Sequence, residues 1–192
     1  TVLPNNFIDT TPPNITTNLL VSQEDFTHFN WITNGISATS ISEESEVLYP
    51  PPAPGYTYPL TSRLTITAGL NKPSVHQIIA GAKQNHSYRM TAIFQGYDDN
   101  AAINVRFANL DNVPYPNAEK LVNLGKGVQR VTFEFTLPED VSSFRFSLEP
   151  RLEPDQFIDI GELRLWDSTP NLVAEAGEPG CQLYPSHHFW NV

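Results

Sequence analysis

The sequence predicts an all-β chain, an antiparallel two-sheet jelly-roll β-sandwich with extended N- and C-terminal arms. Three observations predict it. Apolar residues alternate along most runs instead of recurring at three and four, which is the side-chain period of a strand. Seventeen prolines break the chain so often that a helix of ordinary length finds little room. Turn chemistry at Asn34-Gly35, Asp98-Asp99-Asn100 and Gly125-Lys126-Gly127 separates the alternating runs.

Strands are expected, in order, over residues 18–21, 36–41, 46–49, 63–68, 75–80, 87–96, 101–109, 128–137, 142–149 and 157–166. Several alternate cleanly. Val131, Phe133, Phe135 and Leu137 share one side while Thr132, Glu134 and Thr136 share the other; Phe144, Phe146 and Leu148 repeat the pattern. Ile158, Ile160, Leu163 and Leu165 do so only if Gly161-Glu162 supplies a bulge. About ten short strands, each with one wet face, make two sheets packed face to face. The long stretch 110–122 reads as an irregular connection, which suits a sandwich crossing between sheets better than an up-and-down barrel.

The core therefore spans 18–167, with an N-terminal arm over 1–17 and a C-terminal arm over 168–192. Both arms are rich in Pro, Asn, Thr or Gly and neither alternates, yet each carries apolar anchors: Val2, Leu3, Phe7 and Ile8 at one end, Leu183, Tyr184, Phe189 and Trp190 at the other. Polar chain ends are ordered only when something grips such anchors. Docking on neighbouring subunits is the first reading, and folding back on the chain's own sandwich the second.

Composition narrows the partners. A formal charge of −10 with only 11 Lys+Arg offers little to neutralise phosphates, so nucleic acid and anionic membranes are disfavoured, and neutral or cationic partners fit better. No run of 18 apolar residues exists, and residues 1–17 show neither a basic region nor an apolar signal core. The single Cys181 cannot close a disulfide within the chain. Cys181, His187 and His188 lack the spacing of a tetrahedral zinc site. There is no GxSxG, no HExxH and no phosphate-cradling glycine loop, so the chain reads as non-catalytic and no cofactor is expected.

Four motifs in order, NLLVSQEDFTHFNW (18–31), HQIIAGAKQNHSYRMTAIFQG (76–96), VQRVTFEFTLPEDVSSFRFSLEP (128–150) and FIDIGELRLWD (157–167), resemble the jelly-roll carbohydrate-binding-module superfamily, in the form found in bacteriophage tail and other virion proteins. The resemblance implies a virion structural protein, a decoration, cement or tail component. Its partners would be other virion subunits and further copies of itself, and it would have a capacity to contact glycans. The alternative is an extracellular glycan-binding module used for host attachment or as an accessory to a polysaccharide-degrading enzyme. The resemblance also implies a structural calcium at Asp159 with Glu24 or Asp25; satisfaction of Asp159 by backbone amides or solvent competes with it.

Aromatic loops supply the sugar-contact candidates. LYPPPAPGYTYPL (48–60) holds Tyr56 and Tyr58 on a backbone stiffened by proline, suited to stacking on a pyranose ring or to filling a neighbour's groove. Tyr97 beside Asp98, Asp99 and Asn100 combines a stacking ring with acceptors for hydroxyls. Packing over their own sheet, or an ordinary acidic turn, is the plainer reading of both groups. Trp31 and Trp166 read as core or rim anchors.

Overall fold

Alternation becomes strands: the described residues contain strands, turns and bends but no helix. The computed structural model describes residues 5–8, 18–23, 25–41, 60–67, 72–138, 141–169 and 172–175. The chain divides into two units, Thr16–Ser168 and a smaller one of Thr1–Ile15 with Thr169–Val192. In the smaller unit β1 (Asn5–Ile8) pairs antiparallel with β12 (Leu172–Glu175), Phe7 opposite Val173. The two terminal segments thus hydrogen-bond to each other. Val2, Leu3, Leu183, Tyr184, Phe189 and Trp190 lie outside the described residues.

The larger unit holds two five-stranded antiparallel sheets. The first runs in the order β2 (Ile32–Asn34), β5 (Ser74–Ala80), β10 (Ser143–Arg151), β7 (Ala102–Ala108) and β8 (Pro114–Asn123). The second runs β3 (Ile36–Ser40), β4 (Ser62–Ile66), β11 (Phe157–Asp167), β6 (Ser87–Gly96) and β9 (Val128–Thr136). From β4 to β7 and again from β8 to β11, each successive strand crosses to the other sheet, which is jelly-roll winding.

One face of each sheet fills the interior. Ile103, Val105 and Phe107 of β7, Phe144, Phe146 and Leu148 of β10, and Met90, Ala92 and Phe94 of β6 are all fully buried. Phe107 stacks on Phe135 of the opposite sheet with centroids 4.1 Å apart, and meets Phe144 and Phe146 of its own sheet edge-on or tilted at 5.8 and 5.4 Å. Each such ring removed from water stabilises the fold by about 1.5–3 kcal/mol before entropy is counted.

The expected bulge in β11 is present. Pairing with β6 slips between Gly161 and Arg164, Glu162 takes a φ of 48°, and Ile158, Ile160, Leu163 and Leu165 all point inward. Two expectations fail. Residues 18–21 are bends, because side chains replace a ladder: Leu165 N donates to Asn18 Oδ1 at 3.0 Å, Asn18 Nδ2 donates to Leu163 O, and the Gln77 carboxamide exchanges two hydrogen bonds with the Val21 backbone. The stretch 110–122 is not an irregular connection; most of it is β8, an edge strand whose Pro114 and Pro116 hide its period. The expected strand 46–49 lies outside the described residues.

Because Phe107 joins both sheets, Phe107→Ala is expected to cost about 3–5 kcal/mol, read as a lower urea midpoint at unchanged slope.

Candidate functional site

The residues that look outward from the first sheet are unusual for a wet face. On β7, Asn104 and Arg106 alternate with buried Ile103, Val105 and Phe107, and on β10, Arg145, Ser147, Glu149 and Arg151 alternate with Phe144, Phe146 and Leu148. Register sets Ser147 opposite Arg106 and Glu149 opposite Asn104, while His76 of β5 lies opposite Ser147 on the other side. These are polar side chains on a solvent-side face, yet Ser147, Glu149, Asn104, Arg106 and His76 are all buried.

Arg106 organises the group. Its Nη1 donates to Glu149 at 3.1 Å, and its Nη2 and Nε both donate to Glu119 Oε1 of β8 at 2.6 Å. Asn104 Nδ2 donates to the same two carboxylates at 3.2 Å. The buried guanidinium and the buried Glu149 carboxylate would cost several kcal/mol each unless matched in this way, while Glu119 closes the group from the exposed side. For Glu119, burial alone raises the carboxyl pKa, but hydrogen bonds from Asn104 and Arg106 outweigh it and leave the group below its ordinary value.

The other end of the face is less satisfied. Arg145 donates from Nε to Ser147 Oγ at 3.0 Å and forms no ion pair among the described residues. His76 is 7% exposed, and its buried Nδ1 has no hydrogen-bond partner among the described residues. Burial first, and the Arg145 cation second, push its imidazole pKa down to about 4, so it is neutral at pH 7. Ile32 and Ile78 flank this end, half exposed, and Leu121 of β8, half exposed too, lies opposite Asn104 at the Glu149 end.

The sequence-derived candidates fall elsewhere. Tyr97 is half-buried: its hydroxyl donates to Asp159, its ring packs 4.7 Å from Phe157, and Arg63 lies over both rings. Burial, then the hydrogen bond and charge of Asp159, raise its pKa. Its ring is therefore committed to the outer face of the second sheet. Asp98, Asp99 and Asn100 do come together, lining a cleft of about 580 Å³ with Arg151, Leu152, Glu153 and Gln156. Gly96 shapes this end: a Cβ there would come within 2.9 Å of both Ala101 Cβ and Leu124 Cβ, so the β6–β7 turn packs tightly. Arg151 belongs to both places, as the last outward residue of β10 and a wall of the cleft. Tyr56 and Tyr58 lie outside the described residues.

Asp159 is fully buried, with Arg63 Nε and Nη2 on its two oxygens at 2.8 and 2.9 Å. Asp25 accepts from the backbone and hydroxyl of Thr27 in its own turn, and Glu24 lies outside the described residues. A carboxylate neutralised by a guanidinium does not fit a calcium ion that needs six to eight oxygens. Among the described residues no three His, Cys, Asp or Glu gather to hold a metal.

Sequence reasoning missed the polar face of the first sheet. The signal was present as charged residues at the alternate positions of two strands otherwise filled with Phe, Ile and Leu.

The chain is similar in structure to the enzymatically active domain of bacteriophage CBA120 tailspike protein 4, with a TM-score of 0.53 at 9% identity, covering 83% of this chain and 22% of that one. This likeness is one of fold and matches the jelly roll implied by the sequence resemblance. It is also similar to TmCBM61 in complex with beta-1,4-galactotriose, with a TM-score of 0.48, 10% identity and coverage of 78% and 98%. The CBM22-1 xylan-binding domain from Paenibacillus barcinonensis Xyn10C gives 0.49, 15% identity and coverage of 79% and 95%. No protein-family model matches the sequence, and no curated protein matches it significantly.

Arg106→Met would strand two carboxylates, one of them buried, and is expected to cost about 3–5 kcal/mol; adding Glu119→Gln and Glu149→Gln should recover more than half in urea titrations. For His76 the folded pKa of about 4 lies below the ordinary 6.5, so between these values the unfolded chain binds the extra proton and stability is lost as pH is lowered. Chemical denaturation from pH 7 to 4 should show a steeper loss in the wild type than in His76→Gln.

Proposed function

We propose that this chain is a non-catalytic glycan-contacting module of a bacteriophage virion, and that the outer face of its first sheet holds the sugar. The observation that carries the reading is the buried polar set of His76, Asn104, Arg106, Ser147 and Glu149 on a sheet face that core packing does not require. Fixed donors and acceptors flanked by half-exposed aliphatic side chains are what a sugar, with its hydroxyl rim and apolar ring faces, needs from a protein. From Arg145 to Arg151 the outward positions of β10 span roughly 20 Å at about 3.3 Å per residue, enough for an oligosaccharide. Arg151 carries the face into the cleft of Asp98, Asp99 and Asn100, which then form its far end.

The chemistry supports binding over bond cleavage. Glycoside hydrolysis needs a carboxyl whose pKa is raised so that it can donate a proton. On this face both carboxylates sit against the Arg106 guanidinium, and Glu119 is lowered. The virion setting rests on the sequence resemblance and on the tailspike fold likeness. In that setting the paired termini β1 and β12, with the anchors flanking them, would contact other subunits and further copies of the chain.

A glycan array with the full chain should return at least one oligosaccharide. Titrating that hit into isotope-labelled protein should shift resonances at the outward positions of β5, β7 and β10; shifts confined to the second sheet would refute the assignment.

A further inference from the structure

Arg145 stands apart from Arg63 and Arg106, two arginines paired on the outer faces of the two sheets. Arg63 has Asp159, and Arg106 has Glu119 and Glu149, each within ordinary ion-pair distance. Arg145 is half-buried with a single hydrogen bond, to the neutral Ser147 hydroxyl, and the neighbouring Arg106 cation opposes its charge. Glu149 draws in the other direction but bridges to Arg106. Burial is the first cause that lowers the Arg145 pKa, so this cation has given up part of its water without gaining a carboxylate among the described residues. Its two terminal nitrogens remain as donors in the planar fork that matches a carboxylate.

Diagonally across β10 and β5, the His76 Nδ1 is a buried ring nitrogen without a hydrogen-bond partner among the described residues. An unsatisfied buried polar atom costs about 1–3 kcal/mol. Two adjacent groups with complementary deficits, a cation lacking an anion and a ring nitrogen lacking a hydroxyl, describe one ligand.

We infer that the Arg145 end of the face takes a carboxylated sugar, a uronic acid, whose carboxylate meets the Arg145 guanidinium while a ring hydroxyl hydrogen-bonds with His76 Nδ1. This deepens the glycan-face reading and rests on it. The net charge of −10 repels a polyanion at long range, but fields from exposed charges are screened beyond about 8 Å at physiological salt. The contact with a partly buried guanidinium is local and keeps its strength. The groups facing this end are Arg145, Arg106, Glu149 and His76, of which His76 is neutral at pH 7.

The test uses the full chain and isothermal titration with oligogalacturonate, oligoglucuronate and oligomannuronate, each paired with its carboxyl-reduced neutral counterpart, and with a sulfated oligosaccharide. One uronate should bind at least tenfold tighter than its reduced partner and tighter than the sulfated chain. Arg145→Gln should erase that difference, Arg145→Lys should keep part of it, and Arg89→Gln on the other sheet should leave it intact. Each variant should melt within a few degrees of the wild type. Equal binding of acidic and neutral partners, or preference for sulfate, overturns the uronate inference and leaves the glycan face standing. Binding of no glycan of any class overturns the proposed function itself.

Discussion

The stack of Phe107 on Phe135 links β7 of one sheet to β9 of the other across the middle of the sandwich. Much else follows from it. A strand has a period of two, so once Phe107, Val105 and Ile103 point inward, Asn104 and Arg106 must point outward. β10 is tied to β7 by register, so Phe144, Phe146 and Leu148 join the same core and put Arg145, Ser147 and Glu149 beside Asn104 and Arg106. The aromatic core and the polar face are two sides of one constraint, and neither could shift by a residue without destroying the other.

The two outer faces solve the problem of buried charge differently. On the second sheet the side chains cover themselves: Arg130 and Glu162 join at 2.6 Å across the intervening β6, over Ile93, and Arg63 lies 3.9 Å above Phe157 while neutralising Asp159. The charges there are paired, although the buried carboxamide of Gln95, opposite Asp159, has no partner among the described residues. On the first sheet, Arg106 is saturated while Arg145 and His76 are left short of partners among the described residues. A fold optimised only for stability would replace such groups with apolar side chains, since even matched buried ions often fail to improve on them. Their presence beside half-exposed Ile32 and Ile78 is the basis of the proposed glycan face.

Much of the architecture could be read in advance wherever one face is wet and the other buried. β9, the inward set of β10 and the bulge in β11 were all legible because period and turn chemistry agreed. β8 was not, since Pro114, Pro116 and Asn117 break its pattern and an edge strand tolerates them. Residues 18–21 looked like a strand because they are apolar, but Asn18 and Gln77 supply the partners a ladder would have supplied. The site was harder still. Arg63 meets Asp159 across 96 positions and Asn104 meets Glu149 across 45, and alternation carries no information about which strands are neighbours. The loop candidates at Asp98, Asp99 and Asn100 were found because turns advertise themselves; the face was not, because its residues sit singly between core side chains.

Glu162 gives β11 two frames of reference. Upstream of it even positions such as Ile158 and Ile160 face the interior, and downstream odd ones such as Leu163 and Leu165 do. Removing that one residue would make the ladder with β6 continuous and leave Leu163 and Leu165 inward and Arg164 outward, since the bulge is what breaks the period of two. The strand thus carries one residue more than its alternation needs, and that spare residue reaches Arg130 across β6.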